Sequence, residues 1–280
     1  MDHSELLATA LAAAQAGAEV TSRYFRTASL EVAQKGENDF VTRADRESEE
    51  AVVGAILGRH PRHRILAEEG GARGGDGDCE WLIDPLDGTT NFLQGLPVYC
   101  VSVACRRGAE ILAGVVHDPQ GGNVFAAAAG GGATWNGRPM AASPAAGLAG
   151  AFLATGYPFR AHATLDVYLE VFREVFLQAK AIRRCGAAAL DLAYTAAGVY
   201  DGFFEFRLSP WDIGAGVLLV REAGGRVTDV DGGERCFATG DVVAGGARVQ
   251  PALLAAVRHH ASEALLDRIS PLGRPVAAEP

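Results

Sequence analysis

An apolar segment, Trp81-Leu82-Ile83, runs directly into Asp84-Pro85-Leu86-Asp87-Gly88-Thr89-Thr90-Asn91-Phe92. Two carboxylates held this close in a turn tightened by Pro85 and Gly88 repel each other unless a cation lies between them. Oxygen donors without His or Cys suit magnesium, manganese or calcium. Pro85 cannot donate to a regular ladder, so the strand is expected to end at Ile83. Gly88-Thr89-Thr90 is placed to start a short helix whose unpaired N–H groups face the turn, which puts an anion site beside a cation site. A metal-bound phosphate ester needs that pairing. The competing reading is an ordinary surface turn, because Asp, Pro and Gly are all turn formers.

Three further segments weigh against that reading. In Leu66-Ala67-Glu68-Glu69-Gly70 an acid again ends an apolar strand, and if the two strands are neighbours Glu68 and Asp84 emerge at one sheet edge. The plainer alternative is a pair of solvated loop acids. In Pro210-Trp211-Asp212-Ile213-Gly214-Ala215-Gly216, Asp212 opens an apolar helix, where the macrodipole alone would favour an acid. In Asp39-Phe40-Val41-Thr42-Arg43-Ala44-Asp45, either Thr42 or Asp45 could be only a helix cap. Each alternative stands alone; together they ask for more coincidence.

Composition narrows the classes. The 280 residues are 49% hydrophobic, enough for a substantial core, with a formal charge of −9. No basic stripe suggests a nucleic-acid partner. An acidic protein repels phosphate esters at long range, so an anionic substrate calls for a metal at the site. The five cysteines are odd in number and none forms a CxxC pair, so they read as reduced thiols. None of the seven histidines stands at ligand spacing from them, and no structural zinc is expected. The N-terminus lacks a basic region typical of a signal peptide, and Leu6–Val20 is too short and interrupted to span a bilayer. A cytoplasmic protein without membrane association is the expectation.

The elements that must position these acids follow from periodicity. Helices are expected over Ser4–Thr27, with Leu7, Leu11, Ala14 and Ala18 as its face, and over Asp45–Arg59, with Ala51, Val52, Ala55 and Ile56 inward. Strands are expected at Arg64–Ala67 and Trp81–Ile83, then at Val98–Cys105, Ile111–His117 and Asn123–Ala128, with Asp118–Gly122 as a hairpin turn. The small-residue stretch Ala141–Gly150 divides the chain into an N-terminal α+β half, 1–145, and a C-terminal α/β half, 146–280. The second half alternates: strand Ala151–Thr155, helix Leu165–Ala179, helix Gly186–Ala197, strand Gly202–Phe206, helix Trp211–Ala223, strand Asp241–Ala244 and helix Pro251–Leu266. Gly273–Pro280 reads as a loose tail.

These residues together resemble the inositol monophosphatase family. The matching segments are Lys35-x-x-x-Asp39-x-Val41-Thr42-x-x-Asp45, Glu68-Glu69, the run from Trp81 to Phe92, and Trp211-Asp212-x-x-Ala215-Gly216. The resemblance implies an α+β, layered α/β/α/β/α sugar-phosphatase fold, usually dimeric, and a lithium-sensitive magnesium mechanism with two or three ions. It implies that Glu68, Asp84 and the Leu86 carbonyl hold one ion, and that Asp84, Asp87 and Asp212 hold a second. Glu68 would help hold a third through water. Thr89 with Asp45 would orient and deprotonate the attacking water, and Gly88 and Thr89 would cradle the phosphate. Two such ions would clamp the attacking and leaving oxygens of an in-line displacement. Lys35, one of only two lysines, reads as electrostatic support for the water or phosphate, or as a solvated loop lysine.

The resemblance also points to a phosphorylated polyol or sugar as substrate. Glu205, an acid on the apolar strand Gly202-Phe203-Phe204-Glu205-Phe206, matches a position that binds a polyol hydroxyl; a salt bridge to Arg207 or Arg184 is the alternative. Gly186, Ala187 and Ala188 match a Gly-Thr-Ala stretch beside the ring, although Ala187 lacks the hydroxyl. Thr155–Phe159 resembles a further substrate-side loop, and Arg160 or Arg183 could meet a second phosphate. Inositol monophosphates lead; fructose 1,6-bisphosphate, histidinol phosphate and 3′-phosphoadenosine 5′-phosphate are the alternatives. A haloacid-dehalogenase type mechanism would need an acid spacing one residue shorter. A regulatory binding partner is the non-enzymatic alternative.

Overall fold

The structure is a computed structural model that describes residues 2–27, 32–36, 39–157 and 164–260, with the backbone alone for 32–36 and 39–40. In chain order, α1 (His3–Tyr24), β1 (Val32–Gly36), β2 (Asp39–Thr42), α2 (Arg43–Leu57), β3 (Arg64–Ala67), β4 (Gly71–Arg73) and β5 (Cys79–Asp87) lead to the short α3 (Thr89–Leu93). The meander β6 (Cys100–Arg107), β7 (Glu110–Asp118), β8 (Asn123–Ala128), β9 (Ala133–Trp135) and β10 (Arg138–Pro139) follows. After it come β11 (Phe152–Thr155), α4 (Leu165–Gln178), β12 (Ala181–Arg183), α5 (Ala188–Ala196) and β13 (Gly202–Glu205). The chain closes with α6 (Pro210–Glu222), β14 (Arg226–Thr228), α7 (Cys236–Thr239), β15 (Val242–Gly245) and α8 (Val249–His260).

Alternation of side chains along the strands builds the layers. On β5, Trp81 and Ile83 join Leu6, Ala10, Ala14, Val52 and Ile56 in a core beneath α1 and α2. Leu82 points the other way, into a core with Leu192, Ala193, Ile213, Val217 and, from the second sheet, Ala154, Phe203 and Ala244. The far face of that sheet buries Leu153, Phe204 and Val243 against Tyr168 and Val171 of α4 and Leu253 of α8. The result is α/β/α/β/α, as the resemblance implied. The first sheet has the order β10-β9-β8-β7-β6-β5-β3-β4, the second β12-β11-β13-β15-β14. Helices α5 and α6 are buried on both sides, which is why their sequences are apolar nearly all round.

Several boundaries and faces differ from the expectations. Helix α1 is capped by Asp2, whose side chain accepts from the Ser4 N–H, rather than by Ser4. Its buried stripe is Leu6, Ala10, Ala13, Ala14, Gly17 and Ala18, while Leu11 is 37% exposed. The small side chains let α1 approach α2 closely: a Cβ at Gly17 would stand 2.8 Å from both Ser48 Oγ and Val52 Cγ2. The hairpin β1–β2, the short strands β4, β9, β10, β12 and β14, and α7 were not anticipated; they are too short to show a period. Helix α8 begins two residues before the expected Pro251, and the remainder of that expectation, with the tail, lies outside the described residues.

Candidate active site

The turn after β5 owes its shape to Pro85. Strand β5 continues past the expected end at Ile83 to Asp87, but its pairing with β6 skips from Asp84 opposite Ser102 to Asp87 opposite Cys100. The ladder breaks where proline has no N–H to give. Ser48 donates to the freed Pro85 carbonyl at 2.8 Å, and the Leu86 N–H closes back on Asp84 Oδ1 at 3.0 Å. Gly88 takes φ +94, and a Cβ there would lie 2.9 Å from the Val98 carbonyl, so no other residue fits without movement. Thr89 then begins α3, its hydroxyl within hydrogen-bonding distance of the Leu86 carbonyl at 3.1 Å and Asp45 Oδ1 at 3.2 Å.

Asp45 is fully buried and held from the opposite side. It is the third residue of α2, in a capping box in which its Oδ2 accepts the Thr42 N–H at 2.9 Å. Capping and contact with Thr89 are thus one arrangement. The same face of α2 carries Ser48 and Glu49. Glu49 Oε2 accepts the N–H groups of Glu69 at 2.9 Å and Gly70 at 3.1 Å and so shapes the turn that presents Glu68.

Glu68 and Asp84 meet because β3 and β5 are parallel neighbours, with Ala67 opposite Ile83. The Glu68 N–H donates to the Ile83 carbonyl at 3.1 Å, so each acid is the residue immediately after a paired one. Asp212 arrives from the other layer. It is the third residue of α6, with its Oδ2 accepting the Ser209 N–H at 2.7 Å. Ser102, opposite Asp84, donates to the Trp211 carbonyl at 3.3 Å and ties that helix start to the sheet.

Acids crowded around this break raise the proton affinity of Asp84 and Asp87. Burial first, then Glu68, Asp87 and Asp212, push Asp84 well above the usual carboxylate range. Burial and then Asp212 push Asp87 up to about 7, opposed by the Ala189 N–H, which donates to its Oδ2 at 2.8 Å, and by the Cys100 thiol. A surface turn would show neither effect, and Asp84 is 2% exposed. The donors are all oxygen, the set that hard divalent cations prefer.

Beyond the cluster, Glu205 ends β13 and is buried. Burial, then Asp191 and Asp212, push its carboxyl well up, and Arg184 pulls the other way. A Cβ at Gly156 would fall inside that carboxyl group, so the Thr155–Tyr157 segment packs flat against it. Gly186, at φ +83, leads through Ala187 into Ala188, the first residue of α5, and Asn91 of α3 donates to the Cys185 carbonyl at 2.8 Å. Arg183, one of the two arginines that could meet a second phosphate, lies over the Phe152 ring at 4.9 Å. The side chain of Lys35 and all of Arg160 lie outside the described residues.

Sequence reasoning missed Asp191. It is buried in the first turn of α5, and burial and then Asp87 raise its carboxyl well above the ordinary range. A lone acid in Ala188-Ala189-Leu190-Asp191-Leu192-Ala193 was the available signal. Residues that stand far apart in sequence also meet: one ring nitrogen of His63 and the sulfurs of Cys79 and Cys105 lie within 4.8 Å of one another. Strand pairing brings together donors that the sequence separates widely. All five cysteines are thiols, as expected. Among the described residues no helix is long and apolar enough to cross a membrane.

Stacked helix and sheet layers with an acid-lined break at the end of a central strand define a layered sugar-phosphatase architecture. A model of the inositol monophosphatase family matches residues 2–263. Nus factor SuhB of Escherichia coli K12 is 45% identical over 264 residues, 94% of this chain and 99% of that protein. Inositol-1-monophosphatase of Mesorhizobium japonicum is 42% identical over 248 residues, 88% of this chain and 93% of that one. The crystal structure of extragenic suppressor protein suhB from Bartonella henselae superposes with a TM-score of 0.87 at 38% identity, covering 91% and 98% of the two chains. This chain belongs to the inositol monophosphatase family.

Proposed function

We propose that the chain is a magnesium-dependent phosphomonoesterase acting on myo-inositol monophosphate or a similar polyol phosphate. The observation that carries this reading is the meeting of Glu68, Asp87 and Asp212 around the buried Asp84 at the break in the ladder. Mutually repelling acids in that setting fit two or three divalent ions. Glu68, Asp84 and the Leu86 carbonyl would hold one ion, and Asp84, Asp87 and Asp212 a second. Glu68 would reach a third through water. When bound, magnesium would supply positive charge to the phosphoryl oxygens and acidify water.

The chain's own groups do the rest. Asp45 accepts from Thr89, so the threonine hydroxyl can in turn accept from a water and relay its proton. Lys35 would add positive charge near that water. The backbone at Gly88 and Thr89 would receive the phosphate. Glu205, with Gly186 and Ala188 at the start of α5, would line the polyol, and Glu205 would accept from its hydroxyls. The halves 1–145 and 146–280 would each contribute one side of the site, and two chains would form a homodimer. Phosphate release from inositol 1-phosphate should require magnesium and collapse in Asp84→Asn; full activity of that variant in EDTA would sink the reading. Comparing kcat/KM with fructose 1,6-bisphosphate, histidinol phosphate and 3′-phosphoadenosine 5′-phosphate identifies the leaving group.

The name Nus factor, carried by the E. coli relative, supports a second reading, a protein-binding role beside catalysis. Leu165, Leu169, Phe176 and Leu177 of α4 are exposed and could serve it. A partner bound equally well by Asp84→Asn would separate that role from hydrolysis.

A further inference from the structure

Away from the acid cluster, at the opposite end of β5, three soft donors converge. Cys79 begins β5, Cys105 lies on β6, and His63 lies just before β3. Trp81, not Cys79, stands opposite Cys105 in the register, so the two cysteines are diagonal neighbours on the sheet face that α1 and α2 cover. Asp84 lies five residues beyond Cys79, about 17 Å of extended chain. Both thiols are fully buried and His63 is 9% exposed. Their ligand atoms lie within 4.8 Å of one another.

The ring of His63 is already oriented. The Trp81 indole N–H donates to Nδ1 at 3.0 Å, which places the single proton of a neutral ring on Nε2 and the lone pair, occupied by the indole, on Nδ1. Burial pushes His63 toward that neutral form. His60 stacks flat on the ring, centroids 4.5 Å apart and planes 7° apart, and is itself tied through Nε2 to Thr9 Oγ1 at 3.0 Å. The histidine therefore has few alternative positions.

We propose that His63, Cys79 and Cys105 form a second metal site, for a thiophilic d10 cation of the zinc class, separate from the oxygen-donor site. Two sulfurs and an imidazole are a donor set that zinc selects and magnesium does not. Binding exchanges the two thiol protons for one dication, so two thiolates, a neutral imidazole and Zn2+ sum to zero charge, which suits a buried, apolar position. The ion takes over the Nδ1 lone pair from the indole. Closing the three donors onto one ion would cross-link β5, β6 and the segment before β3, and so stiffen the far end of the strand that carries Asp84 and Asp87.

The test uses the full chain, reduced and stripped of metal, with magnesium in excess to fill oxygen-donor sites. One equivalent of Cd2+ should produce a thiolate-to-metal charge-transfer band in the wild type and in Cys236→Ser, and none in Cys79→Ser or Cys105→Ser. One equivalent of Zn2+ should raise the melting temperature of the wild type and of Cys236→Ser, but not of Cys79→Ser or Cys105→Ser. If the serine variants do not fold, X-ray absorption of the wild type with one equivalent of zinc decides: two sulfurs in the first shell at about 2.3 Å support the site. No band in folded wild type, a band that survives both serine substitutions, or a shell of oxygen and nitrogen only would overturn it.

Discussion

The two ends of β5 make opposite use of the same strand. At Cys79 the side chains are neutral, buried and packed with Trp81, Cys105 and His63 beneath α1 and α2. At Asp84–Asp87 the ladder breaks and acids crowd one another so strongly that two of them bind protons far above the ordinary range. One end adds to stability; the other gives stability up to hold charge where a cation and a phosphate would bind. That division is common in enzymes, where strain and repulsion gather at the functional site and the rest of the scaffold offsets them.

Substitutions at each end should therefore separate activity from stability. Asp84→Asn should cost on the order of 10³-fold in kcat/KM, while the metal-free variant melts higher than the metal-free wild type, because a repelled charge is gone; calorimetry and phosphate release measure the two. Thr89→Ala should lower kcat by about 10²-fold with KM little changed, and Thr89→Ser should restore most of it. Loss in KM alone would place Thr89 in binding instead.

A pH series tests the same contrast. Asp87 carries its proton up to about 7 in the folded chain against 3.8 for an unperturbed carboxyl, and Asp84 shifts the same way. The folded state then binds more protons than the unfolded one, so stability falls as pH rises across that interval. Metal-free protein should melt lower at pH 8 than at pH 5, by roughly 5 °C, and saturating magnesium should remove most of the difference. An unchanged slope with magnesium would mean that the acids do not share a cation. At the other end, Trp81→Phe should cost about 1–2 kcal/mol in urea denaturation through the lost hydrogen bond to His63, with kcat/KM within about twofold of wild type. A larger loss of activity would show that the two ends are coupled.

A comparable effect on stability belongs to the layer behind both ends. Gly17→Ala presses a methyl against Ser48 and Val52, and should cost about 1–3 kcal/mol with an unchanged denaturant slope.

Much of the candidate site was legible because its acids sit where local sequence announces a break. Asp84-Pro85-x-Asp87-Gly88 cannot continue a strand, and Thr42 with Asp45 and Ser209 with Asp212 mark helix starts. The helix faces were less legible: α1 buries alanines and a glycine while exposing Leu11, since close packing against α2 favours small residues over large ones. Asp191 escaped notice because a single acid in an apolar helix gives no pattern until its neighbours are known.

The sequence by itself determined the acids, the turn chemistry that positions each locally and the alternation that layers the sheets. Only the tertiary structure decided which of these meet. Glu68 reaches Asp84 through parallel pairing of β3 with β5, Asp212 reaches them through a helix from another layer, and His63 reaches Cys79 and Cys105 across strands. Local rules act over a few residues along the chain. Contacts between distant segments depend on strand order and register, which no local spacing encodes.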